Sequence, residues 1–451
     1  MIKKICYIFL CLILTSCSLF PKHNLFDDSE KDLEPKYESK KEWELQLSVK
    51  RMQLDNHVLQ EGRYLFINEK SEDEESFFIS KIDLETGSYI WKSQIINHAY
   101  PETAPALLER DGKKYIFILC NNNKLYGELF FCFNEENGEL LATIYAKNQK
   151  VSVSDHLLPC NGNIYYAGAY IFKGEYYAPE EKFDGFLRLN IEKINFEKPE
   201  EEVQEIDIDL LWDDEEQHYP IHMYPVKKDN VIFFVTWNSE DASENGHVTI
   251  VAYDTDTMSV KWQVNTYNNP GYGNNNMYIL DEKLFILSGT AVGCFNINDG
   301  SVIYEVRPTM EQIKNELIVS TSHWLTGMDY YDGKLYVTNL NNSGTASSMG
   351  CKPEVIKNII CFDTKDGSYV WGYLPPHASS LCSRPVIVNG KCFVNCFFSL
   401  RVFDAKTGEL LGRDDSIYGN PFAHSVSYNN KFITYNLINE ETWCLVAISG
   451  D

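Results

Sequence analysis

Short apolar runs alternate with turn residues along most of this chain, and one pattern recurs seven times. An apolar strand is followed by Asp or Asn, two further residues, Thr, Asp or Asn, usually Gly, and often Trp or Tyr four residues later. The clearest copies are 83–87 with Trp91 and 363–367 with Trp371. The remaining copies are 134–138, 254–257 with Trp262, 296–300 with Tyr304, 404–408, and a weaker one at 190–193.

This spacing predicts a hairpin. The Asp or Asn side chain can bond the backbone amide two residues on, and Gly adopts a positive φ without steric cost, which suits a short turn with a bulge. The aromatic residue then lies on the next strand, where it can pack between neighbouring sheets. A single copy is a weak signal, but repetition in strand context is typical of a β-propeller.

Chain length indicates the number of blades. Roughly 410 residues follow position 41, and eight repeats of about 51 residues fit the length of propeller units. Eight apolar strands begin after turns near Gly62, Gly112, Gly162, Asp229, Asp281, Gly333, Gly390 and Asn430. We therefore expect an all-β fold with eight four-stranded antiparallel blades in one domain, 42–451.

The chain ends predict how the ring closes. Residues 43–47 resemble a strand with no turn in front of it, and 443–448 resemble a strand after which the chain soon stops. Pairing these two strands would complete the last blade and remove an exposed edge.

The first residues predict export and lipidation. Lys3 and Lys4 precede an apolar run that is too short to span a bilayer comfortably, and Cys17 follows Leu14, Thr15 and Ser16. This segment resembles the lipobox of bacterial lipoproteins. The resemblance implies a signal peptide at 1–16, acylation of Cys17, and a location in the cell envelope, at the outer membrane where the organism has one. The polar and charged residues that follow predict a lipidated flexible tether at 17–41.

The strongly acidic charge of the chain predicts that it does not bind nucleic acid. Removal of the signal would leave 38 basic against 65 acidic side chains, a net charge of −27, whereas phosphate recognition needs clustered Lys and Arg. No apolar segment after residue 17 is long enough to span a membrane, so the lipid is the expected membrane attachment.

Ten cysteines follow Cys17, most of them in apolar strand contexts. Their spacings do not form the framework of a small disulfide-rich domain, and we expect buried thiols for most, with disulfide status open. Cys392 and Cys396 share one face of a strand and match neither a redox motif nor a zinc knuckle.

Over nearly the whole mature chain, the repeats resemble the pyrroloquinoline-quinone-like (PQQ-like) propellers. That superfamily includes the quinoprotein alcohol dehydrogenases and the non-catalytic propeller lipoproteins of the outer-membrane β-barrel assembly machinery. The dehydrogenases carry adjacent cysteines and calcium ligands near the axis, together with a tighter repeat. This chain has no Cys-Cys pair and no residues that match those ligands. The resemblance therefore implies neither catalytic residues, nor a cofactor site, nor a metal site.

Two further features have competing interpretations. His218 and His222 lie beside four acidic residues, but Pro220 between them opposes the helix that would bring them together, so a solvated loop is favoured over a metal site. The acidic segment 197–216 is either a solvated face or, because Ile206, Ile208 and Leu210 alternate with acids, an edge strand protected by charge.

Four insertions share one position in the repeat, namely 69–76, 173–184, 238–247 and 341–358. Each falls between a second and a third strand, so all should emerge on the face opposite the Asp-Gly turns. They are either tolerated loops or a binding surface on a rigid frame.

We expect a non-catalytic, membrane-anchored scaffold that binds another envelope protein, one with a basic patch, and that functions in outer-membrane protein assembly if the resemblance extends so far. A quinoprotein-like dehydrogenase using pyrroloquinoline quinone and calcium is the enzymatic alternative, and a receptor for sugar or another small ligand is a third. Fold alone does not choose among them.

Overall fold

The computed structural model describes residues 34–47, 58–70, 76–101, 103–122, 127–145, 157–167, 186–190, 206–208, 218–220, 225–238, 248–266, 277–287, 292–306, 325–339, 358–373, 382–396, 399–419, 424–438 and 442–451. Strands and turns account for these residues, and none of them is helical. The predicted signal peptide, Cys17 and most of the predicted tether lie outside the described residues.

The described strands form antiparallel sheets that follow one another along the chain, here numbered sheet 1 to sheet 8. One strand, β1 (Lys41–Gln46), precedes sheet 1. Sheet 1 contains β2 (Val58–Glu61), β3 (Tyr64–Lys70), β4 (Ser76–Asp83), β5 (Ser88–Lys92) and β6 (Ile96–Asn97). Sheet 2 contains β7 (Tyr100–Pro101), β8 (Ala106–Arg110), β9 (Lys113–Asn122), β10 (Gly127–Asn134) and β11 (Leu140–Tyr145). Sheet 3 contains β12 (Leu157–Cys160), β13 (Asn163–Ala167), β14 (Phe186–Asn190) and β15 (Ile206–Ile208). Sheet 4 contains β16 (His218–Pro220), β17 (Val226–Lys228), β18 (Val231–Asn238), β19 (Val248–Asp254) and β20 (Ser259–Thr266).

The second half repeats the same unit. Sheet 5 contains β21 (Met277–Leu280), β22 (Lys283–Leu287), β23 (Val292–Asn296) and β24 (Val302–Val306). Sheet 6 contains β25 (Leu325–Tyr331), β26 (Lys334–Asn339), β27 (Ile359–Asp363) and β28 (Tyr369–Tyr373). Sheet 7 contains β29 (Val386–Val388), β30 (Lys391–Cys396), β31 (Ser399–Asp404) and β32 (Leu410–Asp414). Sheet 8 contains β33 (Val426–Tyr428), β34 (Lys431–Leu437) and β35 (Trp443–Ser449), and β1 pairs with β35 at its edge.

Apolar side chains fill the spaces between successive sheets. Phe233 and Ile250 of sheet 4, for example, pack with Leu284 and Phe295 of sheet 5. Every pair of successive sheets shares such a cluster of described residues, and another cluster joins sheet 8 to sheet 1. The chain is therefore an all-β propeller of four-stranded antiparallel blades.

The repeated turns have the predicted geometry. In the turn between β4 and β5, the amide of Glu85 donates to Oδ1 of Asp83 at 2.9 Å, and the amide of Gly87 donates to the carbonyl of Asp83 at 2.8 Å. Gly87 has a φ of 65°. Met258 takes the same position in sheet 4 with a φ of 56°, so the turn survives loss of its glycine. The weak copy at 190–193 lies largely outside the described residues.

The aromatic residue of each clear repeat docks on the next turn along the ring. The indole Nε1 of Trp371 in sheet 6 donates to the carbonyl of Ala405 at 2.9 Å, and its ring lies against Gly408 of the sheet 7 turn. Equivalent pairs are Trp43 with Gly87, Trp91 with Gly138, Trp262 with Gly300, and Tyr304 with Gly367. The glycine thus has two functions, since it permits the positive φ and leaves room for the ring.

The end of the predicted tether contacts the propeller. The amide of Tyr37 donates to the carbonyl of Arg413 at 2.8 Å, and the amide of Arg413 donates to the carbonyl of Pro35 at 2.8 Å. Gly412 lacks the side chain that would collide with this segment. Residues 34–41 were assigned from polarity to a flexible tether, but residues 35–37 pack on β32, the carbonyl of Lys40 accepts a hydrogen bond from the amide of Ser449, and Lys41 begins β1. Backbone pairing and partial burial of Tyr37 offset the charge of this segment.

Candidate binding surface

Strand direction separates the propeller into two faces. Because the strands of each sheet are antiparallel, the connection from second to third strand and the connection to the next sheet lie at the same end. We call this end the insertion face. The hairpins between first and second strands, and the Asp-Gly turns, lie at the opposite end, which we call the turn face.

The predicted insertions lie on the insertion face. They join β3 to β4, β13 to β14, β18 to β19, and β26 to β27, each the second and third strands of a sheet. The residues between these strands lie outside the described residues, but the strands that carry them are described. The prediction that four insertions share one face is therefore confirmed by the strands that flank them.

Two of the insertions are acidic in sequence. Residues 71–75 contain four acids and no Lys or Arg, and residues 239–247 contain three acids and no Lys or Arg. The longest insertion, 340–357, is instead rich in Ser, Asn and Gly. The insertion sequences thus include both charged residues and neutral hydrogen-bonding residues.

Glu69 is an exception among these acids. It lies in β3 and is 1% exposed. Its carboxylate accepts hydrogen bonds from the Ser80 hydroxyl and, at 3.2 Å, from the Tyr89 hydroxyl. Glu69 therefore stabilises the base of the first insertion and is not available to a partner.

Buried polar side chains fix the connections at this face to the second strands. The Asn68 amide donates to the carbonyl of Thr103 at 3.2 Å, and the Thr338 hydroxyl donates to the carbonyl of Ser383 at 2.7 Å. In sheet 7, the Asn395 amide donates to Ser425 at 3.3 Å. Hydrogen bonds between buried groups hold the backbone in one arrangement, although the Oδ1 atoms of Asn68 and Asn395 are buried without a hydrogen-bond partner among the described residues. The frame beneath the insertions is accordingly rigid.

A buried ion cluster fixes the N-terminal segment to sheet 7. Both carboxylate oxygens of Glu34 accept hydrogen bonds from Arg401, at 3.0 and 3.1 Å, and Arg413 approaches to 3.7 Å. The side chains of Glu34 and Arg401 are 5% and 4% exposed. The Tyr373 hydroxyl also donates to Glu34.

These contacts affect the pKa of Glu34. Burial raises the pKa of its carboxyl group, but the hydrogen bond and charge of Arg401, with the Tyr373 hydroxyl, outweigh burial and lower that pKa. Burial and the neighbouring Glu34 raise the pKa of Tyr373. Glu34 is therefore ionised at neutral pH and paired.

Part of the acidic segment 197–216 forms a strand, and so does His218, for which a solvated loop was expected. Ile206–Ile208 form β15 at the edge of sheet 3, as the alternation favours. His218 lies in β16 and pairs with Asn238 of β18, so it is not on a helix, and His222 lies outside the described residues. The described residues contain no group of three or more side chains arranged to hold a metal ion.

The described cysteines are buried thiols, in agreement with their apolar contexts. Burial raises the pKa of Cys361 to about 12. Cys382 and Cys396 differ from the others, because their sulfur atoms are in contact. Sequence spacing gave no signal for this pair, because strand pairing and not sequence proximity brings the two residues together.

Among the described residues there is no helix of the length and apolarity needed to cross a membrane. Cys17, the one predicted site residue, lies outside the described residues, so its lipidation stays a prediction. Residues 35–37 pair in parallel with Arg413 of β32, so the chain from Cys17 reaches the propeller beside sheet 7.

Solved structures share this architecture. The chain is similar to BamB from Moraxella catarrhalis, with a TM-score of 0.53 and 12% identity over 90% of this chain and 97% of that chain. It is also similar to Sqt1 from Chaetomium thermophilum, solved bound to the N-terminus of ribosomal protein L10, with a TM-score of 0.50 and 9% identity over 91% of this chain and 100% of that chain. Identities this low support a common fold alone. No family model and no curated protein matches the sequence.

Proposed function

We propose that this protein is a non-catalytic scaffold that binds another protein through the insertion face. The observation that carries the proposal is a rigid propeller frame with four insertions on one face, two of them strongly acidic. Loops on a rigid frame are the usual location of binding residues. The structure of Sqt1 with the N-terminus of ribosomal protein L10 is consistent with peptide binding by a propeller of this fold.

The frame itself is proposed to be a ring of eight blades that β1 closes. Support comes from the pairing of β1 with β35, in which Trp43 lies opposite Ala447 and Gln46 opposite Cys444. Further support comes from Trp43, whose Nε1 donates to the carbonyl of Leu84 in sheet 1 at 3.2 Å. In this arrangement β1 belongs to sheet 8 and also contacts sheet 1, so it couples the two chain ends.

Membrane attachment is proposed to occur through a lipid on Cys17, in the cell envelope and on the outer membrane where one exists. Sixteen residues lie between Cys17 and Glu34, and a flexible coil of that length spans about 22 Å on average. A partner embedded in or bound to that membrane would then be within reach, as expected for outer-membrane protein assembly.

Salt dependence and loop deletion test the binding proposal. The acidic insertions favour a partner with a basic patch, whose association should weaken as ionic strength rises. Once a partner has been identified by crosslinking in intact cells, its dissociation constant should be measured for the wild type and for variants that replace 71–75 or 239–247 with Gly-Ser linkers of equal length. We expect weaker binding and a smaller salt dependence in both variants. Unchanged affinity in both would reject the insertion face.

Absence of catalysis is tested separately. Quinone binding in the presence of calcium should be measured by calorimetry, and alcohol or sugar oxidation with an artificial electron acceptor. The proposal predicts neither binding nor turnover. Micromolar quinone binding with turnover would favour a dehydrogenase instead.

A further inference from the structure

Two buried thiols are in contact at the insertion-face end of sheet 7. The Sγ atoms of Cys382 and Cys396 are 3.2 Å apart, and neither residue is exposed to solvent. A disulfide bond is about 2.05 Å long, so the two sulfur atoms need to approach by only about 1 Å to form one.

The backbone holds the two residues opposite one another. Cys382 and Cys396 form an isolated antiparallel bridge. Beside it, the amide of Ser383 donates to the carbonyl of Asn395 at 2.7 Å, and the amide of Asn395 donates to Oγ of Ser383 at 3.0 Å. Opposed residues in such a pair have Cβ atoms about 4.5–5.5 Å apart, and disulfides need about 3.5–4.5 Å. Side-chain rotation with a small backbone shift therefore suffices.

The surroundings of the pair favour one thiolate and one thiol. Burial raises the pKa of Cys396, but the hydrogen bond from Cys382 and the charge of Arg401 outweigh burial and lower that pKa. The hydrogen bond to Cys396 and burial raise the pKa of Cys382. By contrast, burial raises the pKa of Cys392, which lies in the same cluster. A thiolate beside a thiol is the arrangement that thiol–disulfide exchange requires.

We propose that Cys382 and Cys396 are a modification site at which a small-molecule disulfide, such as oxidised glutathione, forms a cross-link between them. The Cys396 thiolate attacks one sulfur of oxidised glutathione and expels a glutathione thiolate, which takes up a proton. Cys382 then loses its proton and its sulfur displaces the second glutathione from Cys396. The protein gives up two electrons, and one oxidised glutathione becomes two reduced molecules.

Burial determines when this exchange takes place. Since both sulfur atoms are inaccessible in the folded propeller, the reaction proceeds during refolding, before the connection that precedes β29 has closed, or after local opening of that connection, when Cys396 on β30 is still near Arg401 on β31. The resulting bond joins that connection to the end of β30. It would reduce the conformational freedom of the unfolded chain and fix one connection of the insertion face.

Peptide mapping of the full chain tests the proposal. The protein is unfolded, reduced and refolded either with reduced glutathione alone or with reduced and oxidised glutathione, then alkylated and digested with trypsin. Cys382 is released in peptide 366–391, because Arg384 precedes proline, and Cys396 is released in peptide 392–401. We expect these peptides to be linked only in the oxidised sample. We also expect the thermal midpoint of that sample to be higher by about 3 °C.

Matched variants assign the bond. Cys392→Ser removes the other thiol of peptide 392–401 and should keep both the link and the shift in midpoint. Cys396→Ser should lose both. The proposal is overturned if Cys382 and Cys396 are alkylated after refolding with oxidised glutathione, or if the link depends on Cys392. Because the wild type and Cys392→Ser decide the result by mass spectrometry, a Cys396→Ser variant that fails to fold does not prevent the test.

Discussion

Replacement of Gly408 by Ala tests whether aromatic docking holds neighbouring sheets together. Gly408 has a φ of 74°. A Cβ atom there would lie 2.4 Å from Cδ2 and 2.5 Å from Cγ of Trp371. Trp371 is 7% exposed and hydrogen-bonded to the next sheet, so its ring cannot rotate away without loss of that bond.

Two costs add at this position. A non-glycine residue in the left-handed region costs about 1–2 kcal/mol. Displacement of a packed side chain costs about 1–3 kcal/mol more. We therefore expect Gly408→Ala to destabilise the propeller by about 2–5 kcal/mol.

Gly112→Ala is the matched control. Gly112 has a φ of 72°, and nothing lies within 4 Å of a Cβ atom built there. This variant should show only the conformational cost of about 1–2 kcal/mol. Calorimetry should be used to measure the free energy of unfolding of both variants. In a Trp371→Ala background, Gly408→Ala should fall to the cost of the control, because no ring remains to be displaced. Equal costs for Gly408→Ala and Gly112→Ala in the wild-type background would refute the docking argument.

Three further predictions concern the chain ends. Deletion of 42–47 should lower stability by several kcal/mol, since β1 and its apolar contacts are lost, whereas deletion of 20–33 should have little effect on the thermal midpoint. Glu34→Gln should destabilise the fold near neutral pH and less so in acid. The pKa of Glu34 is lowered in the folded protein, because its contacts with Arg401 outweigh burial. Its contribution to stability is therefore complete above the unfolded pKa and is lost as pH falls through the folded pKa. Thermal midpoints of the wild type and the variant, measured from about pH 7 to about pH 3, should converge as the pH falls. Cys17→Ala should release folded protein from membranes, and retention after a high-salt wash would contradict lipid anchoring.

The fold was largely predictable because its signals are local. The Asx turn and the positive φ at Gly87 depend on residues within five positions, so the repeat predicts each hairpin. The place of the aromatic on the following strand was equally readable. Its partner was not, since Trp371 meets Gly408 of another sheet. A repeat that is loose in sequence therefore retains a regular docking geometry.

The errors and omissions came from contacts between distant residues. Polarity assigned 34–41 to the tether, but Glu34 meets Arg401 across most of the sequence and its charge is balanced there. One signal for this contact was present in the sequence. Gly412 stands four residues after Gly408, where other repeats have Trp or Tyr, and the N-terminal segment packs there. The Cys382–Cys396 contact is similarly set by strand pairing. The insertion face could be predicted from connectivity alone, whereas the buried polar frame beneath it could not.

Site-specific photo-crosslinking tests the central claim most directly. A photoreactive amino acid should be placed on the insertion face at residues 74, 244 and 347, and on the turn face at the exposed residues 256, 298 and 365. After irradiation of intact cells, the account predicts one common protein adduct from the insertion face and its absence from the turn face. The same adduct should diminish when 71–75 is replaced by a neutral linker. Adducts of equal yield from both faces, or from the turn face alone, would contradict the account.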